Sequence, residues 1–188
     1  MSTKPHYFFA VRLPDPVKQM IHDQIMETAA TFRFKRWVHK ADYHITLAFL
    51  GWVEEERLSA VIQLVGEALK EKGSFPLRIE SLGIFGNKQS PRIFWAGVNE
   101  ESQLYELQKT VYQHCTAAGF ILESRPYHPH ITLARKWAAD SEFTSALLVQ
   151  NNPFQKNPLS FYVNEIVLYK TNIENTPKYE PIVSFLLK

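Results

Sequence analysis

The sequence predicts an α+β protein of two pseudo-symmetric lobes, each an antiparallel sheet with outer helices, around a central cleft. Three observations carry this reading. First, His44-Ile45-Thr46-Leu47-Ala48 returns as His130-Ile131-Thr132-Leu133-Ala134, 86 positions later in a chain of 188. Second, each copy sits in a strand-like run followed by a helix-like segment, so the order of elements repeats along with the residues. Third, hairpin-like neighbours without regular strand–helix–strand alternation favour antiparallel pairing. No linker rich in Gly, Ser or Pro separates the halves, so residues 1–188 are expected to form a single bilobal domain with one His-x-Thr motif per lobe.

The elements follow in order. Tyr7 to Leu13 (YFFAVRL) reads as a mostly buried strand closed by Pro14-Asp15-Pro16. Val17 to Phe32 carries apolar residues at helical spacing, with Asp15 and Pro16 suited to N-cap and first-turn positions. Lys35 to Val53 holds one or two strands, including the first motif. Glu54 to Lys72 forms a second helix ended by Gly73. Phe75 to Ile84 and Arg92 to Val98 are strands joined by the polar loop Phe85 to Pro91, which could reach over a cleft. Glu101 to Ala118 is a third helix, with Leu104, Leu107, Val111 and Cys115 on one stripe and Gly119 as its stop. Phe120 to Lys136 contains the second motif, and Ser141 to Val149 reads as a short helix capped by Ser141. Leu159 to Tyr169 and Ile182 to Leu187 close the chain as strands, separated by a turn through Asn175-Thr176-Pro177.

Composition narrows the function classes. A 45 % hydrophobic content suffices for a core, and 21 % charge argues against disorder. A net charge of +2 lacks the concentrated basic face of a duplex-DNA binder. One cysteine, Cys115, excludes an internal disulfide framework and fits a reducing compartment; its helical stripe makes it a small buried apolar residue. The segment Met1-Ser2-Thr3-Lys4-Pro5 leads into the first strand without a long apolar stretch, and no 18 apolar residues run together. A soluble, cytoplasmic chain without membrane association is expected, monomeric by default, with no protein partner.

In an extended strand, side chains alternate between faces, so His44 and Thr46 share one face while Ile45 and Leu47 anchor the other. The second copy does the same with His130 and Thr132. Two such strands facing each other would gather two imidazoles and two hydroxyls around one small anion. Because histidine titrates near pH 6.5, one imidazole can take a proton from water while the other gives one to a leaving oxygen. The threonines would supply donors to phosphoryl oxygens, where charge builds in the transition state. A zinc site built from His128, His130 and His44 is the rival, but no carboxylate or cysteine cluster completes it. His6, His22, His39 and His114 have no partner in the repeat and read as surface or core residues. No G-x-S-x-G elbow, P-loop or G-x-G-x-x-G turn is present, so no nucleotide cofactor or serine nucleophile is indicated. Neither metal nor cofactor is expected.

Two His-x-Thr motifs in separate halves of such a chain resemble the two-histidine (2H) phosphoesterase superfamily. The flanks, His44-Ile-Thr-Leu-Ala-Phe-Leu-Gly51, Pro91-Arg-Ile-Phe-Trp-Ala-Gly-Val98 and His128-Pro-His-Ile-Thr-Leu-Ala-Arg135, look like the RNA 2′,3′-cyclic phosphodiesterase branch, historically called 2′-5′ RNA ligases. The resemblance implies metal-free hydrolysis of a 2′,3′-cyclic phosphate at an RNA or oligonucleotide 3′ end, leaving a 2′-phosphate. It makes His44 the proton donor to the leaving 3′ oxygen and His130 the base that activates water, with Thr46 and Thr132 holding phosphoryl oxygens. Arg135 matches the family's basic residue after the second motif, and Arg92 sits in the Pro-Arg segment; either could contact phosphate. Arg135 lies an odd number of residues from His130, so a regular strand would point it away, and a bulge or strand end is needed to bring it round. Phe49 and Phe85 could stack on a base, with core packing the expected role of Phe49. The alternatives are a non-catalytic RNA-end or nucleotide-binding module, or a phosphodiesterase for another small cyclic phosphate.

Overall fold

A computed structural model describes residues 4–188; Met1-Ser2-Thr3, at the head of the N-terminal segment read above, lies outside the described residues. Among the described residues nine strands and five α-helices alternate irregularly, with one 3-10 turn at Lys40–Asp42. The first half runs β1 (Tyr7–Arg12), α1 (Asp15–Thr28), β2 (Phe34–Trp37), β3 (His44–Gly51), α2 (Glu55–Leu69), β4 (Phe75–Gly86) and β5 (Pro91–Val98). The second runs α3 (Ser102–Ala117), β6 (His130–Trp137), α4 (Ala146–Gln150), α5 (Pro153–Lys156), β7 (Leu159–Val163), β8 (Glu165–Thr171) and β9 (Tyr179–Leu186).

Every strand pair is antiparallel, and the order β7-β4-β5-β6-β3-β1-β8-β9 is symmetric about its middle. Each motif strand is flanked by the strand preceding a helix (β1, β5) and then by one strand of an outer pair (β8–β9, β4–β7). The half-sheets meet only where Ile45 of β3 pairs with Ile131 of β6. Beyond that point β2 pairs with β6 from Ala134 to Trp137, taking the edge that β3 has left. The motif strands therefore diverge from a single pinned pair, and a cleft opens between them.

The helices cover the face opposite the motif side chains. Ile45, Leu47, Ile131 and Leu133 are buried in the main core with Val61 and Val65 of α2 and Leu104, Leu107 and Val111 of α3. The helices are exchanged between halves: α1 follows β1 yet packs on β7 and α5, while α3 follows β5 yet packs on β3.

Several local expectations change. Asp15 lies inside the first turn of α1 rather than at its cap, because Pro14 holds the capping position and no side chain caps the helix. α2 closes at Leu69, before Gly73. α3 ends as expected at Gly119, whose φ of 83° permits the Phe120 amide to reach back to the Cys115 carbonyl. Ser141 caps no helix: its carbonyl accepts the Trp137 indole N–H, the Phe143 amide bonds Gln89, and helix α4 begins only at Ala146. The expected loop over the cleft shrinks to residues 87–90, because β4 runs on through Gly86 and β5 starts at Pro91. Among the described residues no helix is long and apolar enough to cross a membrane.

Candidate active site

The two motifs form matching half-sites. The His44 Nδ1–H donates to the Asp42 carbonyl at 2.7 Å, and the His130 Nδ1–H donates to the His128 carbonyl at 2.7 Å. In both copies the carbonyl lies two residues upstream. A carbonyl only accepts, so each bond fixes the proton on Nδ1 and leaves the Nε2 lone pair for the cleft. Thr46 Oγ1 donates to His44 Nε2 at 3.1 Å. All four motif side chains are half-buried on one face of the sheet. Ile45 pairs with Ile131, so His44 and Thr46 on one strand and His130 and Thr132 on the other flank the single point where the two motif strands meet. The two imidazoles lie close enough for His130 to be among the groups that depress His44.

Electrostatics agree with that placement. Burial is the main cause that lowers the His44 pKa to about 4, with smaller contributions from His130, Lys18 and Arg135. His130 is also lowered, chiefly by burial and further by His128 and Arg135. With both pKa values depressed below the ordinary 6.5, both imidazoles are neutral at pH 7.

Each imidazole rests in an aromatic setting. Phe8 lies 4.9 Å from the His44 ring, and Tyr179 meets it edge-on at 5.1 Å. On the other side Phe85 meets the His130 ring edge-on at 4.9 Å, and Trp95 lies 6.2 Å away. Gly83 and Gly97 make room for that indole: a Cβ built on Gly83 falls 2.1 Å from Trp95, and one on Gly97 falls 2.9 Å from it. The Asp42 carboxylate is buried and accepts the amides of Lys178 and Tyr179 at 3.0–3.1 Å. One residue thus orients His44 through its carbonyl and Tyr179 through its carboxylate. Asp42, Phe8, Tyr179 and Trp95 border the motifs through tertiary contacts that no local pattern in the sequence records.

A bulge resolves the parity problem of Arg135. Trp95 pairs with Thr132 and Phe94 with Ala134, so Leu133 is an extra residue in β6. Leu133 and Ala134 both turn to the core, and Arg135 emerges on the motif face. There it bears on both imidazoles and on the Tyr179 hydroxyl. β3 has the same bulge at Leu47, between the pairs Phe9–Ala48 and Ala10–Thr46. Phe49 is consequently 53 % exposed, against the expectation that it packs in the core, and it meets His6 edge-on. Arg92 is exposed and lines a groove beside the cleft together with Arg135.

The zinc alternative is not assembled. Among the described residues no group of three His, Cys, Asp or Glu side chains could hold a metal ion, and His128 packs against Trp95 at 4.7 Å. Cys115 is buried, its thiol pKa pushed up to about 12 by desolvation, as its helical stripe suggests.

Comparison with known proteins decides the family, since residues 5–174 match the 2′-5′ RNA ligase superfamily. The chain belongs to that superfamily. It is 33 % identical to a Bacillus subtilis RNA 2′,3′-cyclic phosphodiesterase, covering 98 % of this chain and 97 % of that protein. It is 42 % identical to a Geobacillus stearothermophilus protein of the same name over 98 % of this chain; the match spans 58 % of that longer relative. Among solved structures, Escherichia coli LigT complexed with 3′-AMP superposes with a TM-score of 0.75 at 25 % identity, covering 99 % of both chains. The chain is thus grouped with the two-histidine phosphoesterases, and its α+β architecture with one large antiparallel sheet is shared with the LigT structure.

Proposed function

We propose that this superfamily member is an RNA 2′,3′-cyclic phosphodiesterase that opens the cyclic phosphate at an RNA 3′ end to a 2′-phosphate. The observation that carries the reading is the pair of identically tethered imidazoles, each presenting Nε2 to one cleft beside a threonine hydroxyl. The named relatives support the substrate class.

The cyclic phosphate lies between the motifs, and its negative charge raises the depressed pKa of the nearby imidazole, so His44 enters the reaction protonated. His130 Nε2 takes a proton from water as the water oxygen bonds to phosphorus. The bond from phosphorus to the 3′ oxygen breaks, and His44 delivers its proton to that oxygen. Thr46 turns its hydroxyl from His44 to a phosphoryl oxygen, and Thr132 serves the opposite one. Arg135 holds the anion by charge-assisted hydrogen bonds. Proton exchange with solvent restores both imidazoles. Every proton moves between this chain's own groups, water and substrate, so turnover is expected to persist in EDTA.

The test is incubation of wild type, His44→Ala and His130→Ala with a cyclic-ended oligoribonucleotide in EDTA, with the product read by phosphorus NMR. The expected result is a 2′-phosphate from wild type and a loss of about 10²–10⁴-fold in each variant. Full activity in both variants refutes the mechanism. Binding without product by wild type would favour the non-catalytic module.

A further inference from the structure

Beside the cleft lies a groove of about 470 Å³ whose lining includes Arg36, Ser90, Arg92, Arg135 and Lys136 and no carboxylate. None of its four cations forms a salt bridge among the described residues. Two features show that the fold bears a cost to gather them. Arg36 of β2 pairs directly with Arg135 of β6, and like charges opposite each other on a ladder repel. Lys136 is the one non-glycine residue with positive φ among the described residues, at 66°. That left-handed step breaks the alternation of the strand, so the consecutive residues Arg135 and Lys136 both line the groove. An unpaired, mutually repelling cluster of this kind is stabilised by an anion.

The position of the groove says which anion. Arg135 belongs to both places, because it bears on the imidazoles and lines the groove. Because Leu133 is bulged, Thr132 and Arg135 lie about two strand steps apart, roughly 7 Å, so the groove opens within one nucleotide of the cleft. A substrate with its cyclic phosphate between the histidines therefore carries its next phosphate, the one on the 5′ side of the terminal nucleoside, toward Arg36, Arg92 and Lys136. We infer that this groove is a subsite for the penultimate phosphodiester of the RNA end, which selects oligonucleotide ends over free cyclic mononucleotides. The inference rests on the function proposed above and adds the feature that separates RNA ends from other small cyclic phosphates.

Three substrates with one terminal base test it: a nucleoside 2′,3′-cyclic phosphate, the same compound with a 5′-phosphate, and a dinucleotide ending in the cyclic phosphate. Wild type is expected to show kcat/KM at least about tenfold higher for the two that carry the second phosphate, because a hydrogen bond to a charged group contributes about 1.5–3 kcal/mol. Raising the salt concentration should erode that advantage. Arg36→Ala and Lys136→Gly should each reduce the ratio between phosphate-bearing and bare substrates severalfold; glycine tolerates the left-handed backbone while removing the cationic side chain. Equal kcat/KM on all three substrates, or variants that lower all three by one common factor, would overturn the subsite while leaving the proposed reaction standing. An advantage confined to the dinucleotide that survives both substitutions would also overturn it. No turnover of any substrate by wild type would instead refute the reaction, and the subsite with it.

Discussion

His44 and His130 are each held by one backbone carbonyl. Tethering Nδ1 to the carbonyl two residues upstream selects the tautomer, and burial then keeps the ring neutral. For stability, the sign follows from the direction of the shift. An unfolded His44 binds its proton near pH 6.5, whereas the folded one waits until about pH 4. Between these values the unfolded chain holds more protons, so folding stability is complete above pH 6.5 and declines as the pH falls toward 4. Urea midpoints measured at pH 7 and pH 5 should therefore drop less in His44→Gln than in wild type; an equal drop would show that His44 is not depressed. Arg135→Ala removes a charge-assisted contact to phosphate, and kcat/KM on a cyclic-ended oligonucleotide should fall on the order of 10–100-fold. An unaffected rate would remove Arg135 from the site. Both histidines and both threonines were legible as a duplicated motif. The orientation of Arg135 was not, because the bulge at Leu133 follows from the pairing with β5 and leaves no mark in alternation.

At the scale of elements, the bulge also explains why the repeat is five residues long. His, Ile and Thr follow strand alternation, but Leu and Ala both face the core in each copy. The identity ends where the strand re-emerges into the cleft, with Phe49 on one side and Arg135 on the other. Those two positions distinguish the half-sites from one another. The β4–β5 hairpin supplies the wall behind His130 only because Gly83 lies under Trp95. Gly83→Ala should displace the indole and cost about 1–3 kcal/mol in urea unfolding, with an altered tryptophan emission spectrum. Wild-type stability and emission would show that the contact gives way freely. Most strands and the three long helices were legible from periodicity, but Leu159 to Tyr169, read as one strand, is broken at Asn164 into β7 and β8, which pair with β4 and β1 in opposite halves of the sheet. The segment around Ser141 was misread because its backbone is committed to Trp137 and Gln89, contacts that polar residues near a cap do not announce.

For the whole molecule, the mirrored strand order makes a cleft from two half-sheets pinned at one residue pair, and the exchanged helices tie them together. α1 belongs by sequence to one half and by packing to the other, as does α3. Neither half can bury its sheet alone, so unfolding should be a single transition with coincident far-UV circular dichroism and tryptophan fluorescence. Separate transitions would show that the halves are independent. The repeat revealed the two-fold plan in the sequence, whereas helix exchange depends on chain crossings that a local pattern does not record. The account rests on both imidazoles touching one anion, and histidine-ring NMR during titration with a nucleoside 2′-monophosphate tests this most directly. His44 and His130 should shift together, with one dissociation constant; a shift of one ring alone, or two different constants, would contradict the shared site.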